Sequence, residues 1–312
     1  ILFALIKESD VILHNFRAGV VDRLGLDYDS VRAINPSIVY TVISGFGAKG
    51  PRSADPAYDG AVQAAAGMMA NNGTAESGPL RTGYMPVDLM TGMTAAYATT
   101  AALLRKQKTG KGQMVDVAML DCAITLGSAN FSRSEVDDIP DMLIGNQSIT
   151  SAPTASSFPT AEGSILTAAI MPNHVEAFFD EIGLKEMLND PKFATREARI
   201  ENKEIVRDAM IEALKSDTAE NWEKRLAPRG VPVAKINSVK ETARLEQLQY
   251  RNILTAVPAA KGMANGYRLP GAPFTNSEDG PEVMRPAPVL GQHTLEILEE
   301  IGIDKSVIST LA

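Results

Sequence analysis

Near the start of the chain, apolar positions change repeatedly between helical and strand spacing. Residues 1–8 carry apolar side chains at helical spacing, and Val11–His14 is a short apolar run typical of a buried strand. Residues 19–24 and 29–34 are predicted helices, and the β-branched run 37–44 is a predicted strand. This succession of helix, strand, helix and strand favours an α/β fold with a parallel sheet.

The same alternation continues to about residue 126. Residues 58–70 predict an Ala-rich helix, 88–107 a long helix, and 113–118 a strand followed by another helix. Loops rich in Gly and Pro separate these segments at 45–56 and 71–84. Small residues mark one face of the long helix and predict close packing there: Gly92, Ala95, Ala96, Thr99 and Ala102.

The composition changes near Ile144. Residues 145–159 are polar and carry no clear period, which is typical of a linker or a lid. A strand at 164–170, charged amphipathic helices between 173 and 227, and a strand at 231–236 follow. We therefore expect a second, smaller α+β domain.

Composition and charge limit the class of protein. The chain has 312 residues, of which 45% are hydrophobic and 22% charged, which is typical of a globular protein of one large or two medium domains. Its net charge of −8 argues against nucleic acid as a partner, and no apolar run is long enough to predict a membrane span. A single cysteine, Cys122, excludes an internal disulfide framework and favours a cytoplasmic location.

Several common sites are not predicted. The three histidines, His14, His174 and His293, lie far apart in the sequence, and with one cysteine they predict no metal site. Cys122 and Trp222 lie in segments where a role in core packing is the expected one. The run Gly45–Gly50 matches the dinucleotide pattern G-x-G-x-x-G, but prolines follow it instead of a helix. We therefore interpret this run as a loop, with a nicotinamide site as the alternative.

Asp88 is the strongest candidate for chemistry. It lies at the start of the long helix, two residues after Pro86, where free N–H groups and the positive helix end are expected to keep a carboxylate ionised. Gly92 lies one turn later on the same face and leaves that side open. An accessible, ionised carboxylate can act as a nucleophile, and it can equally be an ordinary charge at a helix start.

The loop after the first strand is a second candidate. Arg17, Arg23 and the backbone at Gly19 can together hold a phosphate at the carboxyl end of a parallel strand. The alternative is that Asn15 caps the turn and both arginines are solvated. The residues alone leave both interpretations open.

Several motifs in this order resemble those of the family III CoA-transferases, which include formyl-CoA and carnitine CoA-transferases and the related α-methylacyl-CoA racemases. The resemblance rests on residues 10–20, 22–26, 35–40 and 44–47, on Asp88 with its helix, and on 109–113 and 287–294. It spans nearly the whole chain. Family chains begin with a further strand and helix, so we expect that residues preceding Ile1 are missing from this sequence.

The resemblance implies a set of site residues. The family's catalytic aspartate falls on Asp88, and its CoA-contacting residues fall on Asn15, Phe16, Arg17, Arg23 and Tyr58. CoA is then carried as a substrate, with no tightly bound cofactor. The resemblance does not identify the loop that covers the site, for which 145–148 is the nearest candidate.

It also implies the organisation of the molecule. Residues 1–144 would be the N-terminal part of a Rossmann-like large domain whose parallel sheet is built from both chain ends. Residues 145–245 would be the small domain, and 246–312 would return to the large one. Family members are interlocked homodimers, so a homodimer is expected.

The implied reaction moves CoA from an acyl-CoA donor to a carboxylic acid through an anhydride and a CoA thioester on Asp88. One alternative is an acyl-CoA racemase, which needs a histidine near Tyr58, where this sequence has none. Another is a CoA-binding fragment without catalysis. The sequence does not identify the acyl group or the acceptor acid.

Overall fold

The computed structural model describes residues 1–260, 262–280, 285–304 and 306. The chain divides into two compact units, one formed by Ile1–Gly145 with the described residues from Ile297 onward, the other by Asn146–Glu296. Within the described ranges, no helix combines the length and the apolar character needed to cross a membrane. The division into segments 1–144, 145–245 and 246–312 stays a prediction.

The first unit alternates helices and strands. Its strands are β1 (Val11–His14), β2 (Val39–Ser44), β3 (Gly73–Thr74), β4 (Gly78–Pro79) and β5 (Gln113–Ala118). Its helices are α1 (Leu2–Glu8), α2 (Val20–Arg23), α3 (Tyr28–Ile34), α4 (Asp59–Ala65), α5 (Pro86–Thr109), α6 (Met119–Leu126) and α7 (Ser128–Asp137). A 3-10 turn covers Met69–Asn71.

The sheet of this unit is parallel, which confirms the predicted α/β fold class. In the described part of the chain its strand order is β1-β2-β5. Val39 lies opposite Val11 on one side and Gln113 on the other. Because all three strands run in the same direction, their carboxyl ends lie at one edge of the sheet.

Helices cover both faces of β2. Tyr40 and Val42 belong to a buried cluster with Val31 of α3. On the opposite face, the hydroxyls of Thr41 and Thr99 in α5 lie 2.7 Å apart, so α5 packs against that face.

Helix α5 is longer than predicted and buries a slightly different face. It begins at Pro86 and ends at Thr109, and the C-cap residue Gly110 has a left-handed backbone (φ 70°) that suits glycine. Its buried residues are Val87, Thr91, Ala95, Thr99 and Ala102. The prediction of close packing was wrong for Gly92 and Ala96, which are exposed.

The second unit combines antiparallel strands with helices. Its strands are β6 (Ser157–Pro159), β7 (Ser164–Thr167), β8 (Val233–Lys235), β9 (Leu254–Val257) and β10 (Tyr267–Pro270). Its helices are α8 (Pro172–Glu181), α9 (Pro191–Ala194), α10 (Arg196–Glu201), α11 (Lys203–Leu214), α12 (Ala219–Leu226), α13 (Val239–Thr242) and α14 (Glu246–Tyr250), with 3-10 turns at Lys185–Asn189 and Ala227–Arg229. Helix α15 (Thr294–Glu300) follows near the end of the chain.

An apolar cluster packs the part of the second unit between Phe158 and Val231 together. Strands β6, β7 and β8 pair antiparallel, and Phe158 and Ile165 from this sheet are buried with Phe178 and Met210 from the helices. Trp222 is also buried, and its indole N–H donates to the Leu214 carbonyl at 2.9 Å, which confirms its role in packing.

Candidate active site

A cavity of about 490 Å³ opens at the carboxyl edge of the parallel sheet. Parallel α/β sheets bind their ligands at this edge. The cavity is lined by Asn15, Phe16, Arg17 and Ala18 after β1, by Ile43, Ser44 and Gly45 at the end of β2, by Ser53, Asp55, Ala57 and Tyr58 before α4, by Asp88, Thr91 and Gly92 of α5, and by Met119 of α6.

Most of the predicted site residues therefore lie around one cavity. Asn15, Phe16, Arg17, Tyr58 and Asp88 all line it, although the sequence places them in three separate segments. Phe16 and Tyr58 are exposed to 51% and 79%, so both present an aromatic face to solvent.

Arg23 is not among the lining residues. It is exposed at the end of α2, and its Nη1 atom would lie 3.5 Å from a Cβ built at Gly19. Asn15 does not cap α2 with its side chain, because Gly19 occupies the cap position. Whether Arg17 and Arg23 bind a phosphate or are only solvated stays a prediction.

The Asp88 carboxylate is exposed on the cavity wall. Among the described residues no side chain or backbone group forms a hydrogen bond with it. A Cβ built at Gly92 would meet nothing within 4 Å, so the next turn of α5 leaves the carboxylate accessible. This is the geometry that a carboxylate nucleophile needs.

The helix start does not stabilise Asp88 in the expected way. The backbone N–H groups of Val87 and Asp88 both donate to Oδ2 of Asp59, at 2.9 and 3.0 Å. The Leu89 N–H donates to the Met85 carbonyl at 3.2 Å, and Pro86 has no N–H. The first turn thus offers no free donor to Asp88, and the expectation that its N–H groups hold Asp88 ionised was wrong.

The electrostatics of Asp88 follow from this arrangement. Partial burial, and after it the negative charge of Asp59, raise the pKa of Asp88 above its ordinary value. The carboxyl is therefore more basic than a free aspartate, although it keeps contact with solvent.

Sequence reasoning missed the roles of Asp59 and Gln63. Both are buried, with 6% and 1% of their surface exposed. Gln63 Nε2 donates to Asp59 Oδ1 at 2.5 Å, and Gln63 Oε1 accepts from the Thr82 N–H at 3.0 Å. The available signal was two polar residues one turn apart on an otherwise apolar Ala-rich helix.

The loop after β1 is fixed by an aromatic anchor. The His14 ring stacks on Phe16 with centroids 5.8 Å apart, and its Nδ1 accepts from the Phe16 N–H at 3.3 Å. Nε2 of His14 lies 3.0 Å from the Tyr40 hydroxyl, which donates to the Leu26 carbonyl at 2.6 Å. These bonds require a neutral His14 protonated at Nε2.

The pKa values of this anchor agree with the hydrogen bonds. Burial lowers the pKa of His14, which favours the neutral ring. Burial, together with the charges of Asp27 and Asp22, raises the pKa of Tyr40 to about 12, so its hydroxyl remains a donor. Through these bonds, His14 and Tyr40 hold the loop that carries Asn15 to Arg17 in place.

The glycine-rich loop after β2 contributes Gly45 to the cavity lining and does not open a helix. The next helix, α4, begins at Asp59, as the prolines predicted. The Ala48 N–H donates to Asp116 at 2.9 Å, and the Arg52 guanidinium lies 3.8 Å from the centre of the Phe46 ring. The position required for a dinucleotide's pyrophosphate, at a helix start directly after this loop, is therefore missing from this segment.

The chain was also compared with known protein families, curated proteins and solved structures. A family model described as CoA-transferase family III matches residues 1–294. The chain is 30% identical over 305 residues to a succinate–glutarate CoA-transferase of Agrobacterium fabrum, covering 95% of this chain and 74% of that protein. It is 32% identical to an acetyl-CoA:oxalate CoA-transferase of Acetobacter aceti, covering 97% of this chain and 76% of that protein.

Solved structures show the same fold. A CAIB/BAIF family protein from Brucella suis superimposes with a TM-score of 0.83 at 27% identity. The match covers 96% of this chain and 77% of the Brucella chain.

Proposed function

The chain belongs to CoA-transferase family III, and we propose that it moves CoA from an acyl-CoA donor to a carboxylic acid with Asp88 as the nucleophile. The observation that carries the proposal is the exposed Asp88 carboxylate, free of hydrogen bonds among the described residues, on the wall of the cavity at the carboxyl edge of the sheet. CoA is a substrate carrier in this reaction.

The reaction divides into acyl transfers through Asp88. An oxygen of the carboxylate attacks the donor's thioester carbonyl, the C–S bond breaks, and CoA leaves as a thiolate. The thiolate attacks the aspartyl carbonyl of the resulting anhydride, which releases the donor acid and forms an aspartyl-CoA thioester. The acceptor carboxylate displaces CoA to form a second anhydride. Attack by the thiolate on the acceptor's carbonyl then yields the new acyl-CoA and restores Asp88.

The remaining predicted site residues are proposed to bind CoA. Asn15, Phe16 and Arg17 form one wall of the cavity and Tyr58 another. Their exposed aromatic faces suit the pantetheine or adenine of CoA, and Arg17 suits an anionic group. Arg23 is not among the cavity-lining residues, and its proposed partner is a more distant phosphate of the same molecule.

The acceptor is proposed to be a short dicarboxylic acid. The relatives above are named for succinate and glutarate in one case and for oxalate in the other. One carboxylate of such an acid would react at Asp88.

Two experiments test the reaction. In the first, the protein is incubated with succinyl-CoA and quenched with hydroxylamine, and a hydroxamate on Asp88 is sought by peptide mass spectrometry. Its presence would also exclude a catalytically inactive CoA-binding protein. In the second, donors and acids are assayed in a panel, and Asp88→Asn is expected to lower transfer by about 10³-fold or more. Undiminished transfer by Asp88→Asn would contradict the proposal.

The racemase alternative is not favoured. It needs a base and an acid on either side of the substrate's α-carbon. No histidine is among the lining residues described by the structure, and the ring nitrogens of His14 bond to Phe16 and Tyr40. Deuterium exchange at the α-carbon of a 2-methylacyl-CoA without an acceptor acid would reverse this conclusion.

A homodimer is proposed from the family resemblance, and a cytoplasmic location from the single cysteine of the chain. An exposed apolar row along α5 supports the homodimer, because each of its large apolar side chains has more than half of its surface exposed: Leu89 (63%), Met93 (56%), Tyr97 (65%) and Leu104 (56%).

A further inference from the structure

Two helices begin beside one buried carboxylate. Asp59 is the first residue of α4, and its Oδ2 atom accepts both N–H groups that α5 offers near its start, from Val87 and Asp88. A carboxylate that is only 6% exposed needs such donors, because burial without them is costly. Asp59 thus meets the positive ends of two helices.

Further hydrogen bonds hold Asp59 in this position. Its other oxygen, Oδ1, accepts from Gln63 Nε2 at 2.5 Å, and the same nitrogen lies 3.0 Å from Thr82 Oγ1. Thr82 Oγ1 in turn donates to the Tyr84 carbonyl at 2.9 Å, in the segment that leads into α5. The network therefore ties the start of α4 to the start of α5.

We propose that Asp59 is a positioning residue for the reaction: it takes up the first-turn donors of α5 and so leaves the Asp88 carboxylate unbonded toward the cavity. This inference rests on the proposed role of Asp88 as nucleophile. Had the same N–H groups bonded to Asp88, they would have stabilised its charge and weakened it as a nucleophile.

The charges around Asp88 support this role. The cavity that Asp88 lines is also lined by Arg17, Asp55 and Tyr58. Asp59 accepts hydrogen bonds from the first turn of α5. Of these, Asp59 is the one whose charge raises the pKa of Asp88, after the larger effect of burial. As with thiolates, nucleophilicity falls as the pKa falls. Loss of the Asp59 charge should therefore make Asp88 a weaker nucleophile that ionises at lower pH.

The decisive measurement is a ¹³C NMR titration of the Asp88 side-chain carboxyl in the full-length, ligand-free protein. The signal is assigned by its loss in Asp88→Asn. In the wild type its midpoint should lie above the ordinary value of about 3.9. In Asp59→Asn, which removes the charge and keeps an acceptor oxygen, the midpoint should move to lower pH. An equal midpoint in both proteins overturns the proposal.

A matched control separates position from charge. Asp55→Asn removes a negative charge from the same cavity wall, but Asp55 pairs with Arg52 at 2.8 Å and accepts no bond from α5. This variant should leave the Asp88 midpoint at its wild-type value. A shift equal to that of Asp59→Asn would show that any nearby charge suffices, and the specific role of Asp59 would be lost.

Kinetics provide a second readout, with succinyl-CoA as donor and glutarate as acceptor. In Asp59→Asn we expect kcat about tenfold lower, little change in KM for the donor, and an acid limb displaced to lower pH. If Asp59 served only as a helix cap, Asn would substitute for it and the acid limb would not move.

Failure of the two proposals can be told apart. Retained transfer by Asp88→Asn defeats the proposed nucleophile, whereas the NMR midpoints test Asp59 without any turnover. If Asp59→Asn does not fold, Asp59→Glu keeps the charge and should retain a raised midpoint. A wild-type midpoint at or below the ordinary value overturns the inference without any variant.

Discussion

At the scale of single residues, the raised pKa of Asp88 lowers the free energy of unfolding at neutral pH. The folded state binds a proton at Asp88 more readily than the unfolded state does, so this contribution to stability is full at low pH and is lost as the pH rises through the raised pKa. We therefore expect Asp88→Asn to raise the urea midpoint at pH 7 slightly, with an unchanged m-value. The gain should disappear near pH 3. A lower midpoint at pH 7 would contradict this sign.

The lowered pKa of His14 gives stability the opposite dependence on pH: it favours the folded protein at higher pH. Because burial lowers its pKa in the folded protein, the unfolded chain takes up a proton first as the pH falls. Its contribution is full above the ordinary value of about 6.5 and is lost below it. Urea midpoints of wild type and His14→Gln, compared between pH 5 and 8, should converge toward pH 5. Parallel curves would show that His14 does not titrate in this range.

CoA binding should depend on Arg17, which lies in the loop that His14 and Tyr40 anchor. Protonation of His14 at Nδ1 removes the acceptor of the Phe16 N–H and loosens the loop that carries Arg17. Arg17→Ala should weaken binding of free CoA by about tenfold or more, which is typical of losing a charged hydrogen bond. Calorimetry checks this value, and Arg32→Ala, on α3 and outside the cavity, is the control.

At the scale of elements, the sequence predicted some helices and strands closely. Val11–His14 and Gln113–Ala118 have the predicted bounds, since short apolar or alternating runs flanked by polar residues leave little freedom. The predicted helix 58–70 is shorter, because Gly67 adopts a left-handed backbone (φ 73°) after α4. The β3–β4 hairpin was missed, as its strands have two residues each and carry no period.

A substitution at Gly92 in α5 should make the helix more stable and the enzyme less active. A Cβ there meets nothing within 4 Å, so Gly92→Ala should stabilise the helix by about 1 kcal/mol. The added methyl enters the cavity one turn after Asp88, and kcat/KM should fall most for the larger acyl donors. Gly83→Ala, also uncrowded and outside the cavity, is the control for activity. Equal activity with all donors would place the acyl group elsewhere.

At the scale of the whole molecule, the sequence indicated several segments that line the cavity but not the contacts that hold those segments in place. Asp88 and the loop of Asn15 to Arg17 carry motifs in contiguous sequence, whereas their common cavity depends on strand order. The bond from Asp59 to α5 joins residues 28 and 29 positions apart. A contact over this distance in the chain produces no periodic pattern in the sequence. The hydrogen bonds between the starts of α4 and α5 could therefore not be predicted from the sequence.

The apolar row on α5 predicts how the whole molecule assembles. Tyr97→Glu and Leu104→Glu place charges in the row that we propose a second copy covers. Light scattering after gel filtration should show a dimer for the wild type and a monomer for the double variant. Val239→Glu, at an even more exposed apolar position (88%) in the second unit, should leave the dimer intact. A wild-type monomer would contradict the proposal.

Cys122 gives the protein a built-in reporter of motion. It is the single thiol of the chain, only 4% exposed, and it packs with Ala95 and Val117 just beyond the cavity-lining Met119. A thiol reagent can modify it only when the layer of α5 and α6 opens, so the labelling rate measures how often that happens. A molecule seated in the cavity should slow the labelling, whatever its acyl group.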